Sequence, residues 1–145
     1  MNINEIKQMV ESDLDIDSTE LGAESLKSPQ LHNKYLCILL DEKHNLGLME
    51  SILKMLERDK WLYYTGKMSE EELKKKNWEP FELSIIKQDV DRFIDADKQY
   101  SDTLIKVNAQ REKVNYLENV VKIMSNRSWN IKSAIEWNKF TQGIS

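Results

Sequence analysis

The sequence predicts an all-α fold in which two long helices form an antiparallel hairpin with short N- and C-terminal helices. Two observations carry this prediction. The 145 residues include only four glycines and two prolines, which favours long helices over a turn-rich β fold. Apolar residues also recur at helical spacing along two long segments, and a short charged connector separates these segments. Helices joined in this way most simply fold back on each other, and the length is that of one domain, residues 1–145.

The first short helix is predicted over residues 3–10, with Asn2 or Asn4 as its N-cap. The first long helix is predicted to begin at Ser28-Pro29, because serine is a good N-cap and proline suits the first helical position. Thr65-Gly66 ends it. One helical turn over residues 69–75 and Pro80 then complete the connector.

Each long helix carries a seam of mostly apolar residues. The first seam is Leu31, Tyr35, Ile38, Glu42, Asn45, Met49, Ile52 and Leu56, with Leu39, Leu46 and Leu53 on an adjoining stripe. Its polar members, Glu42 and Asn45, indicate a specified register or a local gap. The second seam is Ile86, Val90, Phe93, Asp97, Tyr100, Leu104, Val107, Arg111, Val114, Leu117 and Val121. The polar run "SNRS" at 125–128 predicts a break before a separate last helix, residues 129–140.

One hairpin leaves apolar surface uncovered in a chain of this size, so we expect self-association. The aromatic C-terminal helix is the expected contact. Its candidate residues are Trp129, Ile131, Ile135, Trp137 and Phe140.

Several classes of protein are excluded at this stage. The polar, acidic N-terminus is unlike a secretory signal or a transit peptide, and the longest apolar run, "YLCILL", is too short to cross a membrane. The single Cys37 excludes an internal disulfide framework and a cysteine-cluster zinc site. The sequence therefore predicts a soluble intracellular protein with no membrane partner.

The residues that could support catalysis do not form a recognisable site. There is no glycine-rich phosphate loop. The three candidates for a nucleophile–base pair or a soft metal site are too widely spaced on one helix to share an ion: His32, Cys37 and His44. Four aspartates, Asp89, Asp91, Asp95 and Asp97, fit a solvated helix face, and no Glu-x-x-His motif of a di-metal bundle accompanies them. We therefore expect no enzymatic activity, no metal and no cofactor.

The stretch "ERDKWLYYTGK", residues 57–67, combines cations and aromatic rings where the first long helix ends. Its candidate binding residues are Arg58, Lys60, Lys67, Trp61, Tyr63 and Tyr64. One interpretation is a helix end whose rings cover the hairpin turn. The other is a site for single-stranded nucleic acid, in which cations neutralise phosphates and rings stack on bases. The net charge of -4 does not exclude the second, since local clustering sets the field that a polyanion meets.

The order of these features resembles the UvsY family, the recombination mediators of T-even-like bacteriophages and their cyanophage relatives. The similarity lies in "DIDSTEL" after a short helix, in "YYTGK" at the end of a long helix, and in "SNRS" before the C-terminal segment. The resemblance implies a ring-like homo-oligomer, with six or seven subunits, in the cytoplasm of an infected bacterium. It also implies that the ring binds single-stranded DNA and helps a phage recombinase to load where the phage single-strand-binding protein covers the DNA.

The resemblance also assigns roles to residues. The family's two basic DNA-binding positions before the paired tyrosines fall on Arg58 and Lys60, and its oligomerisation segment falls on the C-terminal region, about residues 126–145. Acidic Glu57 and Asp59 flank the basic pair, which predicts weak binding by each subunit and stronger binding by repetition around a ring. The alternative function is a structural or adaptor protein that acts through protein–protein contacts alone.

Overall fold

The computed structural model describes residues 1–143 and is all-α over these residues, with no strand, as the sequence predicts. The predicted C-terminal segment extends to Ile144 and Ser145, which lie outside the described residues. The helices are α1 (Ile3–Leu14), α2 (Leu21–Tyr64), α3 (Glu70–Lys76), α4 (Val90–Asp95) and α5 (Lys98–Thr141), and a 3-10 turn, Lys87–Asp89, precedes α4. None of the helices in the described part of the chain is long and apolar enough to cross a membrane.

Local signals fix several helix ends as predicted. Asn2 caps α1 in a capping box, because its side chain accepts from the Glu5 amide while the Glu5 carboxylate accepts from the Asn2 amide. After the C-terminal end of α2, Gly66 adopts a left-handed φ of 73°. The Gly66 and Lys67 amides then donate to the Tyr63 and Leu62 carbonyls, the pattern of a Schellman motif. The chain therefore turns at Gly66, where a residue without a Cβ takes the left-handed conformation at no steric cost.

The predicted start of α2 at Ser28-Pro29 is wrong. The helix begins at Leu21, and Pro29 lies inside it. Ser28 is buried and its hydroxyl accepts a hydrogen bond of 2.9 Å from Arg127. A serine that reads locally as a cap is thus held in the helix by a tertiary contact.

The second long helix also differs from the prediction at both ends. Its predicted continuity through Asp97 is wrong, because α4 ends at Asp95 and Asp97 caps α5 by accepting from the Tyr100 amide at 2.9 Å. The predicted break at 125–128 is also wrong. The helix continues through it, since Met124, Arg127 and Ile131 are buried and extend the apolar seam.

The described chain divides into two compact units, and both long helices contribute to each. Unit 1 contains residues 1–43 together with the chain from residue 112 onward, and unit 2 contains residues 44–111. In unit 1, Glu24 pairs with Arg127 and Lys43 with Glu118, so α2 and α5 run antiparallel. The predicted antiparallel pairing of the long helices is therefore confirmed.

The core of unit 1 contains a buried polar network as well as apolar side chains. The Arg127 guanidinium is 2.6 Å from the Glu24 carboxylate and also donates to the Glu24 carbonyl and the Ser28 hydroxyl. Asp13 of α1 accepts from both Lys34 and Tyr35 of α2 at 2.6 Å. The Arg127–Glu24 pair fixes the start of α2 against α5, because an unpaired buried charge would be costly, and the partly exposed Asp13 joins α1 to α2.

The seam of α2 drifts from the predicted heptad positions along unit 2. Leu53 and Lys60 are buried, whereas Ile52 is 59% exposed and Asn45 is exposed as well. A straight helix has 3.6 residues per turn, so its buried stripe moves away from a strict seven-residue repeat. This drift brings Lys60, rather than an apolar residue, to the inner face at the end of α2.

We expect Arg127→Ala to lower the midpoint of thermal unfolding by about 5 °C or more, because it removes the buried partner of Glu24 Oε2 and of the Glu24 carbonyl and leaves Glu24 only its pair with the exposed Lys27. Lys122→Ala, an exposed site on the same helix, is the matched control and should change the midpoint little. Differential scanning calorimetry measures both. Equal midpoints for the two variants would show that the network contributes nothing specific.

Candidate nucleic-acid interface

The predicted binding residues of α2 separate onto different faces of the helix. Arg58 is exposed, whereas Lys60 is 5% exposed. Residues two apart on an α-helix point about 200° apart, so the two cations of this pair cannot face the same partner. The structure therefore brings Lys60 together with Tyr63 and Tyr64 in unit 2 and leaves the Arg58 side chain exposed to solvent.

Lys60 lies in a buried ion pair. Its Nζ is 3.0 Å from Asp97 Oδ2 and 3.8 Å from the centroid of the Trp78 ring. The Tyr64 hydroxyl donates to the same carboxylate oxygen at 2.7 Å, and the Tyr100 amide donates to the other. Lys60 thus joins α2 to the start of α5, and in this structure its charge is already neutralised. This placement differs from the expected phosphate contact.

The tyrosines belong to an aromatic cluster around this ion pair. Ring centroids within the cluster are 4.9–5.8 Å apart, and its members are Tyr63, Tyr64, Trp78, Phe81 and Phe93. The Tyr63 hydroxyl also donates to the Glu79 carbonyl at 2.6 Å. Aromatic pairs at these separations stabilise beyond the area they bury. The cluster therefore fastens the connector to the end of α2 and to α4.

Burial and hydrogen bonding shift the titration of this site. Burial alone would raise the pKa of Asp97, but hydrogen bonds from the Tyr100 amide, the Tyr64 hydroxyl and Lys60 outweigh it and lower the pKa. For Tyr64, burial first and then the bond to Asp97 raise the pKa of the hydroxyl. Asp97 thus stays ionised and Tyr64 stays protonated at neutral pH.

Arg58 borders a shallow groove of about 300 Å³ between α2 and α3. The groove is lined by Met55, Arg58, Asp59, Glu72, Lys75 and Lys76. Asp59 pairs with Lys76 at 2.9 Å, so the acid that flanks Arg58 in sequence is offset by a lysine. Sequence reasoning missed Lys75 and Lys76 because their spacing from Glu71 and Glu72 reads as ordinary helix-surface pairing.

Lys67 and Trp61 border a second groove, of about 500 Å³, also within unit 2. The Lys67 ammonium lies 4.6 Å from the centroid of the Trp61 ring, a cation–π contact. Lys87, which the sequence did not single out, lines the same groove. The six predicted residues are therefore divided. Arg58 is exposed, Lys60, Tyr63 and Tyr64 lie in the ion pair and aromatic cluster, and Trp61 and Lys67 border the second groove, which Tyr64 also lines.

The C-terminal aromatic residues are mostly exposed. Trp129, Trp137 and Phe140 are 69%, 63% and 75% exposed, and the Trp137 and Phe140 ring centroids lie 5.8 Å apart. Ile135 is half-buried. Ile131 is only 2% exposed and packs in the core of unit 1, which differs from the surface position expected of a subunit contact.

Residues 1–143 contain no group of three or more His, Cys, Asp or Glu side chains that could hold a metal ion.

Comparison with known proteins identifies the family. Residues 9–144 match the family described as "Recombination, repair and ssDNA binding protein UvsY". The chain belongs to the UvsY family. The resemblance found in the sequence is therefore confirmed, and the chain is assigned to a family of recombination, repair and single-stranded-DNA-binding proteins.

Solved structures of a UvsY protein share this fold. One crystal structure of the bacteriophage T4 recombination mediator protein UvsY, lattice type II, has a TM-score of 0.85 at 18% identity and covers 98% of each chain. Lattice type IV of the same protein has a TM-score of 0.81 at 18% identity, with coverage of 97% of this chain and 99% of that one. A search of curated proteins returned no match.

We expect Asp97→Asn to destabilise the protein by roughly 2 kcal/mol at neutral pH, less than the loss of a whole buried partner because the asparagine oxygen can still accept from the Tyr100 amide. The folded pKa of Asp97 is lowered, so its contribution is complete above the unfolded pKa of about 4 and is lost as pH falls through the folded pKa. The difference between wild type and variant should therefore shrink on acidification.

Urea unfolding at about pH 7 and about pH 3 measures this difference, with the exposed Asp102→Asn as the matched control. A difference that stays constant between the two pH values would contradict the assigned role of the Asp97 charge.

Proposed function

We propose that this UvsY-family chain is a recombination mediator. It binds single-stranded DNA and promotes loading of a phage recombinase onto DNA covered by the phage single-strand-binding protein, in the cytoplasm of an infected bacterium. The observation that carries the proposal is the display of exposed cations, Arg58 and Lys67, at a hairpin end held by the Lys60–Asp97 pair. Family membership supports the choice of single-stranded DNA.

Arg58, Lys67 and Lys75 are the proposed phosphate contacts. All three are exposed, and Arg58 and Lys75 line one groove. A guanidinium can bind a phosphate through two hydrogen bonds, whereas an ammonium acts as a point charge. Contacts of this kind to phosphates do not depend on base sequence, which suits a protein that must bind whatever strand is exposed.

Lys60, Tyr63 and Tyr64 contribute by position in this proposal. Their bonds to Asp97 and Glu79 hold the end of α2, and so fix where the exposed side chains of the same turns lie. A DNA contact that is preorganised in this way loses less conformational entropy when the strand binds.

Assembly would multiply weak contacts. Trp129, Trp137 and Phe140 form the proposed contact between subunits, with Ile135 at its edge, because exposed large apolar side chains of this kind mark interaction surfaces. A ring of six or seven subunits would repeat the cationic surface, and linked copies bind one strand far more tightly than a single copy. No catalytic group takes part.

A function as an adaptor that contacts proteins alone is the alternative. Membership of a family of single-stranded-DNA-binding proteins favours the mediator. The recombinase and the single-strand-binding protein remain the proposed protein partners.

We expect Arg58→Ala combined with Lys67→Ala to weaken binding of single-stranded DNA at least tenfold at low salt. Each lost phosphate contact should also reduce the slope of log affinity against log salt by about 0.7, or about 1.4 for the two in each contacting subunit. Fluorescence polarisation with a labelled oligonucleotide across salt concentrations measures both. Lys7→Ala, an exposed cation on α1, is the matched control.

The same variants test mediation in a strand-exchange reaction in which single-strand-binding protein covers the DNA before the recombinase is added. Wild type should shorten the lag, and the double variant should not. Wild type that binds no single strand at low salt would overturn the proposed function, and unchanged affinity in the double variant would overturn only the assigned contacts.

We expect Trp137→Ala combined with Phe140→Ala to reduce the assembly to smaller species in sedimentation velocity, and to weaken DNA binding about 100-fold through lost avidity. Ile105→Ala removes a comparably exposed apolar side chain from unit 2 and should leave assembly intact. An unchanged sedimentation coefficient in the aromatic variant would place the subunit contact elsewhere.

A further inference from the structure

The groove beside Trp61 has the composition of a nucleotide site. It lies where the end of α2 meets the connector, and it is lined by Trp61, Tyr64, Thr65, Gly66, Lys67, Leu83, Ser84, Ile85, Lys87 and Val90. Two aromatic rings and three aliphatic side chains provide an apolar wall, and both charged residues that line it are lysines. Its volume of about 500 Å³ is within the usual range for small-ligand clefts.

The charged residues that line the Trp61 groove are all positive. The groove around Arg58 mixes cations with Asp59 and Glu72, whereas no carboxylate is among the residues that line the Trp61 groove. A cleft with an apolar floor and cations alone at its edge is complementary to a group that is flat and apolar in one part and anionic in another. A nucleotide of a single strand has this form.

We propose that the Trp61 groove binds one nucleotide of single-stranded DNA, with the base against Trp61 and the apolar wall and its phosphate between Lys67 and Lys87. The proposal rests on the proposed function as a single-strand-binding protein and adds a base-contacting subsite to its phosphate surface. Base–aromatic stacking tolerates every base, so the subsite would strengthen binding without sequence preference.

The Lys67–Trp61 contact places a cation at the ring that would receive the base. The ammonium lies over the Trp61 ring, 4.6 Å from its centroid, so a base that stacks on this face would displace the ammonium, which the phosphate of the same nucleotide would then pair with. Lys87 comes from the 3-10 turn before α4, so the two cations reach the groove from different segments of unit 2. An acidic peptide with an apolar side chain is the competing ligand for this groove, and the experiment below distinguishes it from a nucleotide.

The test compares a thymidine oligonucleotide with an abasic oligonucleotide of equal length, using the intact protein at each of several salt concentrations. Wild type should prefer the base-bearing strand by about fivefold or more, the effect of one stacked base. Ser84→Leu, which fills the groove without adding a ring, should remove most of that preference while binding of the abasic strand persists. Lys87→Ala should weaken binding of both strands and lower the salt slope by about 0.7 per contacting subunit, whereas the exposed Lys98→Ala should not.

Two results overturn the subsite while leaving the proposed function intact. One is a wild type that binds both strands equally. The other is a Ser84→Leu variant that keeps the full preference for bases and that circular dichroism shows to be folded. In that case an acidic peptide would be the remaining candidate ligand of the groove. Failure of wild type to bind either strand would instead overturn the proposed function itself.

Discussion

The buried ion pair between Lys60 and Asp97 is the interaction on which the hairpin end depends. Asp97 caps α5, accepts from Tyr64 and neutralises Lys60, so one carboxylate joins the last turn of α2 to the first turn of α5. Desolvation makes such a pair costly if either partner is lost. Here the cost is offset by hydrogen bonds to both carboxylate oxygens and by the Trp78 ring beside the ammonium.

In this arrangement, the residues that stabilise the hairpin end and the residues proposed to contact DNA lie on different faces of one stretch of helix. Helical geometry directs Lys60 inward and leaves Arg58 outward, while Trp61 and Lys67 border a different groove. Residues 57–67 therefore have features of both interpretations, a helix end that covers the hairpin turn and a site for single-stranded nucleic acid. Its tyrosines close the hairpin, and its exposed cations remain available for phosphates. The exposed aromatic face near the end of α5 supplies a separate surface through which copies of the chain would assemble.

Local signals predicted the helices and the connector, but long-range contacts decided the rest. Gly66 ends α2 as expected, because its turn depends on neighbours within a few residues. Ser28-Pro29 and the "SNRS" run failed as helix signals because Arg127 binds Ser28 across 99 residues and Glu24 across 103. The burial of Lys60 could not be predicted from neighbouring residues either, since its partner Asp97 lies at the start of α5. Lys75 and Lys87 carried no distinctive local pattern, and only folding placed them beside Arg58 and Lys67.

The most direct test is the salt dependence of single-strand binding by a Lys60→Met, Asp97→Asn double variant. It removes both charges of the pair and keeps a long side chain beside Trp78. If Lys60 acts by position alone, the slope of log affinity against log salt equals that of wild type, even where affinity falls. A slope reduced by about 0.7 per contacting subunit would show that Lys60 leaves Asp97 to bind a phosphate, and would contradict this account.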